Sequence, residues 1–256
     1  MFRLLKISPP HGWRAVWWEL AIVTLGVLVA LVAQQSVNAI DRNKDRRFTE
    51  AALRDELGLN AIMAFERLTI ENCLRSRIAA LGAKLSAGGA YWRADPIYVH
   101  SATYRAFAMP GAYRTPNRQW SHAAWDTAVS SGVLKTMDRQ RVSDLSFIYR
   151  QVVELAQLQQ TEAQQTPRLS FLAYGQPMDQ AMHREALSAL AAVDASNRMM
   201  VILGEQFLDR VRALNLAFDV DALGGPAMNG ARGPKGVIAA QRTYRGSCVK
   251  NLPLQL

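Results

Sequence analysis

The first strong pattern along the chain has no period at all. Residues 15–33, AVWWELAIVTLGVLVALVA, hold a single charge, Glu19. Apolar side chains would therefore cover every face of a helix here, whereas a surface helix confines them to one stripe. A helix rises about 1.5 Å per residue, so about 20 residues cross a hydrocarbon layer about 30 Å thick. Extension to Val37 supplies that length, and a transmembrane helix is expected over residues 15–37. Trp13, Trp17 and Trp18 stand at one end, where indole rings favour the headgroup layer. Glu19 falls in the first turn, at the interface, where the helix dipole tolerates a carboxylate. Two alternatives stay open. The uninterrupted core, residues 20–33, also has signal-peptide length, and Val37, Asn38 and Ala39 loosely fit a cleavage site. A buried core helix is the other, weakened by the all-round apolarity and the clustered tryptophans.

After the span the pattern turns helical. Leu53, Leu57, Ala61, Ala64 and Leu68 recur at spacings of four and three, and Leu74, Ile78, Leu81 and Leu85 continue the stripe. One helix is expected from Arg46 to Ser86, begun by Asp45 or Thr49 unless it runs on unbroken from the span, and ended by Gly88 and Gly89. Glu50/Arg54 and Glu71/Arg75 are helix-supporting i,i+4 pairs. Residues 91–120 read as a long irregular loop with Pro96, Pro110 and Pro116, in which residues 97–99 and 103–104 have the chemistry of a short hairpin. Three more helices follow. Ser121 would cap one to Met137, with Trp125, Val129, Val133 and Leu134 on its apolar face. Ser143 would cap one from Asp144 to Gln165, and Asp179 one from Gln180 to Ala217. Residues 218–256, rich in Gly and Pro, would wrap the domain or fray. The expected fold is mainly α: an N-terminal transmembrane helix, then an antiparallel helical bundle over residues 38–217.

Charge adds a direction. Thirty Lys+Arg against 21 Asp+Glu give +9, and the hydrophobic share of 50% is that of a globular chain rather than a disordered one. Arg3, Lys6 and Arg14 precede the span; Arg42, Lys44, Arg46 and Arg47 follow it, so the positive-inside rule nearly cancels. A short tail before a first helix, with a long domain after it, favours a cytoplasmic N-terminus (residues 1–14) and a translocated C-terminal domain.

The stretch WWELAIVTLGVLVALVAQQ, residues 17–35, resembles the opening of an uncharacterised group of bacterial single-pass membrane proteins. Their pattern runs W-W-x-E, an apolar stretch, G-V-L-[IV]-A-L, a small residue and Gln. A helix of alternating charge follows, here residues 41–57, and a later Cys in an Arg-rich helix is matched by Cys73. The resemblance implies an inner-membrane anchor with an envelope-facing, periplasmic helical domain. The group has no assigned activity, so no catalytic residue carries over.

Motifs for chemistry are sparse. Residues 224–236, GGPAMNGARGPKG, suggest a phosphate loop but lack the Gly-Lys-Ser/Thr opening a helix, and read as a flexible loop. Of His11, His100, His122 and His183, two have i,i+4 carboxylates (His122/Asp126 and Asp179/His183), but a metal site needs three or four convergent ligands. No cofactor is expected. In an oxidising compartment Cys73 and Cys248 would bridge the first soluble helix to the tail; otherwise they are two thiols. Gly26 and Ala30 have the small-x-x-x-small spacing that permits helix dimerisation, and hence a homodimer, as well as occurring by chance. Trp92, Arg93, Tyr98, Tyr104, Arg105, Arg114 and Trp120 mix Arg with aromatic rings in one loop. They suit a partner or ligand surface, or a loop packed onto the bundle by its rings. Behind an anchor, a bilayer or envelope component is a better counterpart than nucleic acid.

The chain therefore reads as a non-enzymatic interaction or scaffold module with a protein partner. A ligand-sensing domain is the alternative, since membrane-proximal helical bundles often bind ligands between helices; with no output domain expected, it would have to signal through a partner. An enzyme of unrecognised type is the third, and would bring His122, His183 and carboxylates together in a cleft.

Overall fold

The computed structural model describes residues 12–94 and 115–256. The chain is mainly helical, with α1 (Gly12–Thr69), α2 (Glu71–Ser86), α3 (Ala123–Ser131), α4 (Arg139–Gln165), α5 (Gln180–Ala213) and α6 (Gly233–Arg245). Two short strands, β1 (Tyr91–Trp92) and β2 (Gln176–Pro177), pair antiparallel, with Trp92 opposite Gln176. Contacts divide the chain into two units, Met1–Thr49 and Glu50–Leu256.

In the first unit α1 runs without a break from Gly12, so neither Asp45 nor Thr49 begins a helix. From Val16 to Asn38 every residue is exposed, Val23, Leu25 and Val29 by more than 60%. Its most apolar 18-residue window has a mean hydropathy of 2.2 with none of it buried. The two hydroxyls in the stretch are satisfied within the helix: Thr24 donates to the Leu20 carbonyl at 2.7 Å and Ser36 to that of Val32 at 2.9 Å. That back-bonding is how hydroxyls are carried where no water can serve them. By length and composition this is a candidate membrane span. So is α5, but 39% of its apolar window is buried in the fold, as a core helix requires.

The second unit begins with the remainder of α1. Residues 60–70 are buried on all sides. Leu53, Leu57 and Phe65 share a core with Ile148, Tyr149 and Val152 of α4, Phe207 and Val211 of α5, and Val237 and Ile238 of α6. A second core joins Ile78, Leu81 and Leu85 of α2 to Trp92, Leu169, Leu172, Leu190 and Val193. Helix α5 packs against both α4 and α2 and so belongs to both cores. Each fully buried Leu, Ile or Phe contributes about 1.5–3 kcal/mol.

Several expected boundaries move. The single helix over residues 46–86 is interrupted at Ile70, where the Lys250 amide takes the Thr69 carbonyl at 2.8 Å and Thr69 donates to the Glu66 carbonyl. Helix α3 is capped at His122, not Ser121, and ends at Gly132, whose φ of +73° turns the chain into the 3-10 turn Val133–Thr136. Ala128 faces inward there while Val129 is 52% exposed. Asp138, not Ser143, caps α4, accepting from the Arg141 amide at 3.0 Å. Asp179 caps α5 as expected, but α5 stops at Ala213. Residues 218–256 neither fray nor lack structure. They hold α6, whose Pro234 sits in the first turn, where a missing N–H leaves nothing unsatisfied. Gly224, at φ +102°, makes the preceding turn possible; a Cβ there would lie 2.7 Å from the Ala231 carbonyl oxygen.

The C-terminus is fastened at several points. Cys73 of α2 and Cys248 are joined in a disulfide, Cα to Cα 5.1 Å, across 175 residues of sequence. Lys250 pairs with Glu71, and Leu252, Leu254 and Leu256 pack on the first core.

Candidate functional site

Of the recesses formed by the described residues, one open cleft stands out, of about 660 Å³, within the range of ligand sites. One wall is the irregular segment 117–122 with the start of α3; Leu59 and Met63 of α1 with Ala227 and Asn229 supply the rest. Asn117, Gln119, His122, Asp126 and Asn229 give it polar side chains, and Trp120 an aromatic edge.

That wall is held from beneath by buried polar groups. Asn60 of α1 makes a two-point contact with the Ser121 backbone, accepting from its N–H at 3.1 Å and donating to its carbonyl at 2.7 Å. Glu56 accepts from the Ser121 hydroxyl at 2.6 Å and the Ala124 amide at 3.0 Å, which also caps α3 from another helix. Gln159 of α4 accepts from the Arg118 amide and donates to the Arg118 carbonyl. Arg118 grips Glu66 with two hydrogen bonds of 2.7 Å, and Gln241 of α6 donates to the same carboxylate at 2.7 Å. The Glu66 hydrogen bond raises the guanidinium pKa, against the opposing effect of burial. Tyr149 stacks on Trp125 at 5.1 Å; burial, reinforced by Glu56, pushes its phenol well above the ordinary range.

A buried carboxylate or amide is tolerated only when paired. Here Glu56, Asn60, Glu66 and Gln159 are spent on a six-residue stretch, Asn117 to His122, whose own side chains line the cleft, and Gln241 supports Glu66 from behind. Such support holds a surface in one shape before anything binds. It also neutralises charge. Arg118 is committed to Glu66 and the Ala227 carbonyl, and the His122 Nδ1 lies 2.7 Å from Asp126 Oδ2. The one guanidinium in the lining is thus already paired, which weakens any attraction for a polyanion.

The residues singled out in the sequence fall in different places. Trp92 is 4% exposed and donates to the Leu172 carbonyl at 2.8 Å, so it is a core residue rather than a contact surface. Arg93 is exposed; its carbonyl accepts from Lys84, which also lies over the Trp92 ring. Trp120 is 9% exposed and borders the cleft. Tyr98, Tyr104, Arg105 and Arg114, the suggested hairpin, His11 and His100 lie outside the described residues. Gly26 and Ala30 are exposed one turn apart on α1. His183 lines a second, smaller recess, where its ring nitrogens each lie 3.1 Å from a carbonyl oxygen, of Leu85 and Gly89, so it does not converge with His122. Among the described residues no three His, Cys, Asp or Glu side chains gather as a metal site would need. Asn117, Gln119 and Asn229 were not singled out by sequence: uncharged residues in irregular segments, over a hundred positions apart, give no pattern to read.

Comparison of the chain with protein-family models, characterised proteins and solved structures gave no match.

Proposed function

We propose that the chain is a single-pass protein of the bacterial inner membrane, with a cytoplasmic N-terminus and an envelope-facing helical bundle that acts as a non-enzymatic interaction module. The observation that carries this reading is the wholly exposed apolar stretch of α1 from Val16 to Val37, about 33 Å long, whose only hydroxyls bond back to the helix. Lipid is the solvent such a surface suits. The Cys73–Cys248 bond supports the orientation, since disulfides persist on the oxidising side of a membrane. The resemblance of residues 17–35 to bacterial single-pass anchors agrees with both.

The braced cleft at Asn117–His122 is the surface offered to a partner, and its internal neutralisation favours a protein segment over nucleic acid. A photoreactive residue at Gln119, in cells, is expected to give a discrete crosslinked product that is absent with the same residue at Ser130, on the exposed side of α3. Equal products from the two positions, or none from either, would end this reading of the cleft.

A further inference from the structure

The apolar stretch of α1 gives way within the first unit to about two strongly charged turns. Residues 41–48 carry Arg42, Lys44, Arg46 and Arg47 against Asp41 and Asp45, and all eight are exposed. On a helix of 3.6 residues per turn, Asp41 and Asp45 fall on one narrow stripe, while the four cations spread over about 200° of the circumference. Ile40, 55% exposed, lies inside that arc, and Phe48, 78% exposed, borders it. The helix rises about 1.5 Å per residue, which sets Arg42 about 7 Å and Arg47 about 15 Å beyond Val37. The headgroup layer begins where the hydrocarbon ends and is about 5–8 Å deep. Lys and Arg stems are long enough to reach back into it from its outer margin.

The geometry points to a lipid-binding collar: Arg42, Lys44 and Arg47, with Ile40 between them, select anionic phospholipid headgroups at the end of the span. The inference rests on the reading of residues 16–37 as a membrane span. Charge complementarity names the occupant. The patch is a mixed basic and apolar arc on a helix side that starts at the headgroup layer and continues just outside it, within the screening length of about 8–10 Å over which exposed charges still attract.

The test uses the full chain in bilayers of phosphatidylcholine with a minor share of spin-labelled phosphatidylglycerol or spin-labelled phosphatidylcholine. The fraction of each probe immobilised next to the protein is the readout. Wild type is expected to prefer the anionic probe by about fivefold, the equivalent of one basic side chain at an anionic surface. R42Q/K44Q/R47Q is expected to fall to near parity while staying in the alkali-washed membrane. Parity in the wild type, or an unchanged preference in the variant, overturns the collar and leaves the span standing. Release of the wild-type chain by alkali overturns the span, and the collar with it.

Discussion

Two stretches of helix α1 invert the usual relation between polarity and burial. Residues 16–37 are almost purely apolar and fully exposed; residues 56–69 include Glu56, Asn60, Glu66, Arg67 and Thr69, and nearly all are buried. The difference lies in what surrounds each. The later stretch has helices on every side, and these supply partners: Arg118 and Gln241 for Glu66, Glu162 for Arg67, the Ser121 backbone for Asn60. The earlier stretch has no protein around it among the described residues, and by length and composition it is a candidate membrane span. Along α1, polar side chains are buried where neighbouring helices supply them with partners.

Breaking one buried pair should show that most sharply. The Arg67 and Glu162 side chains are 4% and 2% exposed and bonded to each other. Arg67→Met strands the Glu162 carboxylate and is expected to destabilise by about 3–5 kcal/mol in denaturant unfolding of the detergent-solubilised chain. Adding Glu162→Leu should restore most of that loss, because no unpaired charge then remains. If the double variant is as unstable as the single, the pair does more than neutralise itself.

Next come matched truncations on the two stretches. Leu57, 0% exposed, should lose about 2–5 kcal/mol on change to Ala, whereas Leu28→Ala, at a residue 53% exposed, should alter unfolding of the second unit by less than about 0.5 kcal/mol. Comparable losses at both would mean that the earlier stretch is packed against protein.

Cys73→Ser with Cys248→Ser should remove about 2–4 kcal/mol by releasing the closed loop in the unfolded chain, with a matching loss of the mobility difference between reduced and oxidised wild type on gels. The C-terminal segment should stay docked at moderate temperature, since Lys250 and the three terminal leucines hold it independently.

The smallest effect is on pH dependence. Tyr149 keeps its proton in the fold above the pH at which an exposed tyrosine loses it. The stabilisation is thus complete below about pH 10 and falls as pH rises, by up to about 1.4 kcal/mol per unit, until the folded phenol also ionises. Tyr149→Phe should flatten that alkaline slope; an unaltered slope would assign it to other groups.

What the sequence revealed follows from how local each signal is. The apolar stretch of α1 needs no neighbours to be read, because nineteen residues with one charge stand out in sequence alone; the structure adds that none of its most apolar window is buried. Asp179 is legible as a cap because an apolar period starts just after it. Asp138 is not, since Arg139 to Ser143 show no apolar period and hide the first turn of α4. The break at Ile70 is invisible because the apolar stripe continues through it, and the segment that takes the Thr69 carbonyl arrives from residue 250. Helix α6 was masked by its own opening: Gly233, Pro234 and Gly236 read as loop, although proline is compatible with a helix's first turn. The candidate site was legible at Trp120 and at the His122/Asp126 pair, and nowhere else. Arg118 gave no hint that its charge is used inward on Glu66, and Trp92 looked like a surface aromatic until its indole N–H met the Leu172 carbonyl.

The measurement that bears most directly on the account is protease digestion of intact spheroplasts expressing the chain with an epitope at each end. An anchored, envelope-facing protein predicts loss of the C-terminal epitope while the N-terminal epitope survives in the membrane pellet. A C-terminal epitope protected until the cells are lysed, or a full-length chain in the soluble fraction, would contradict it.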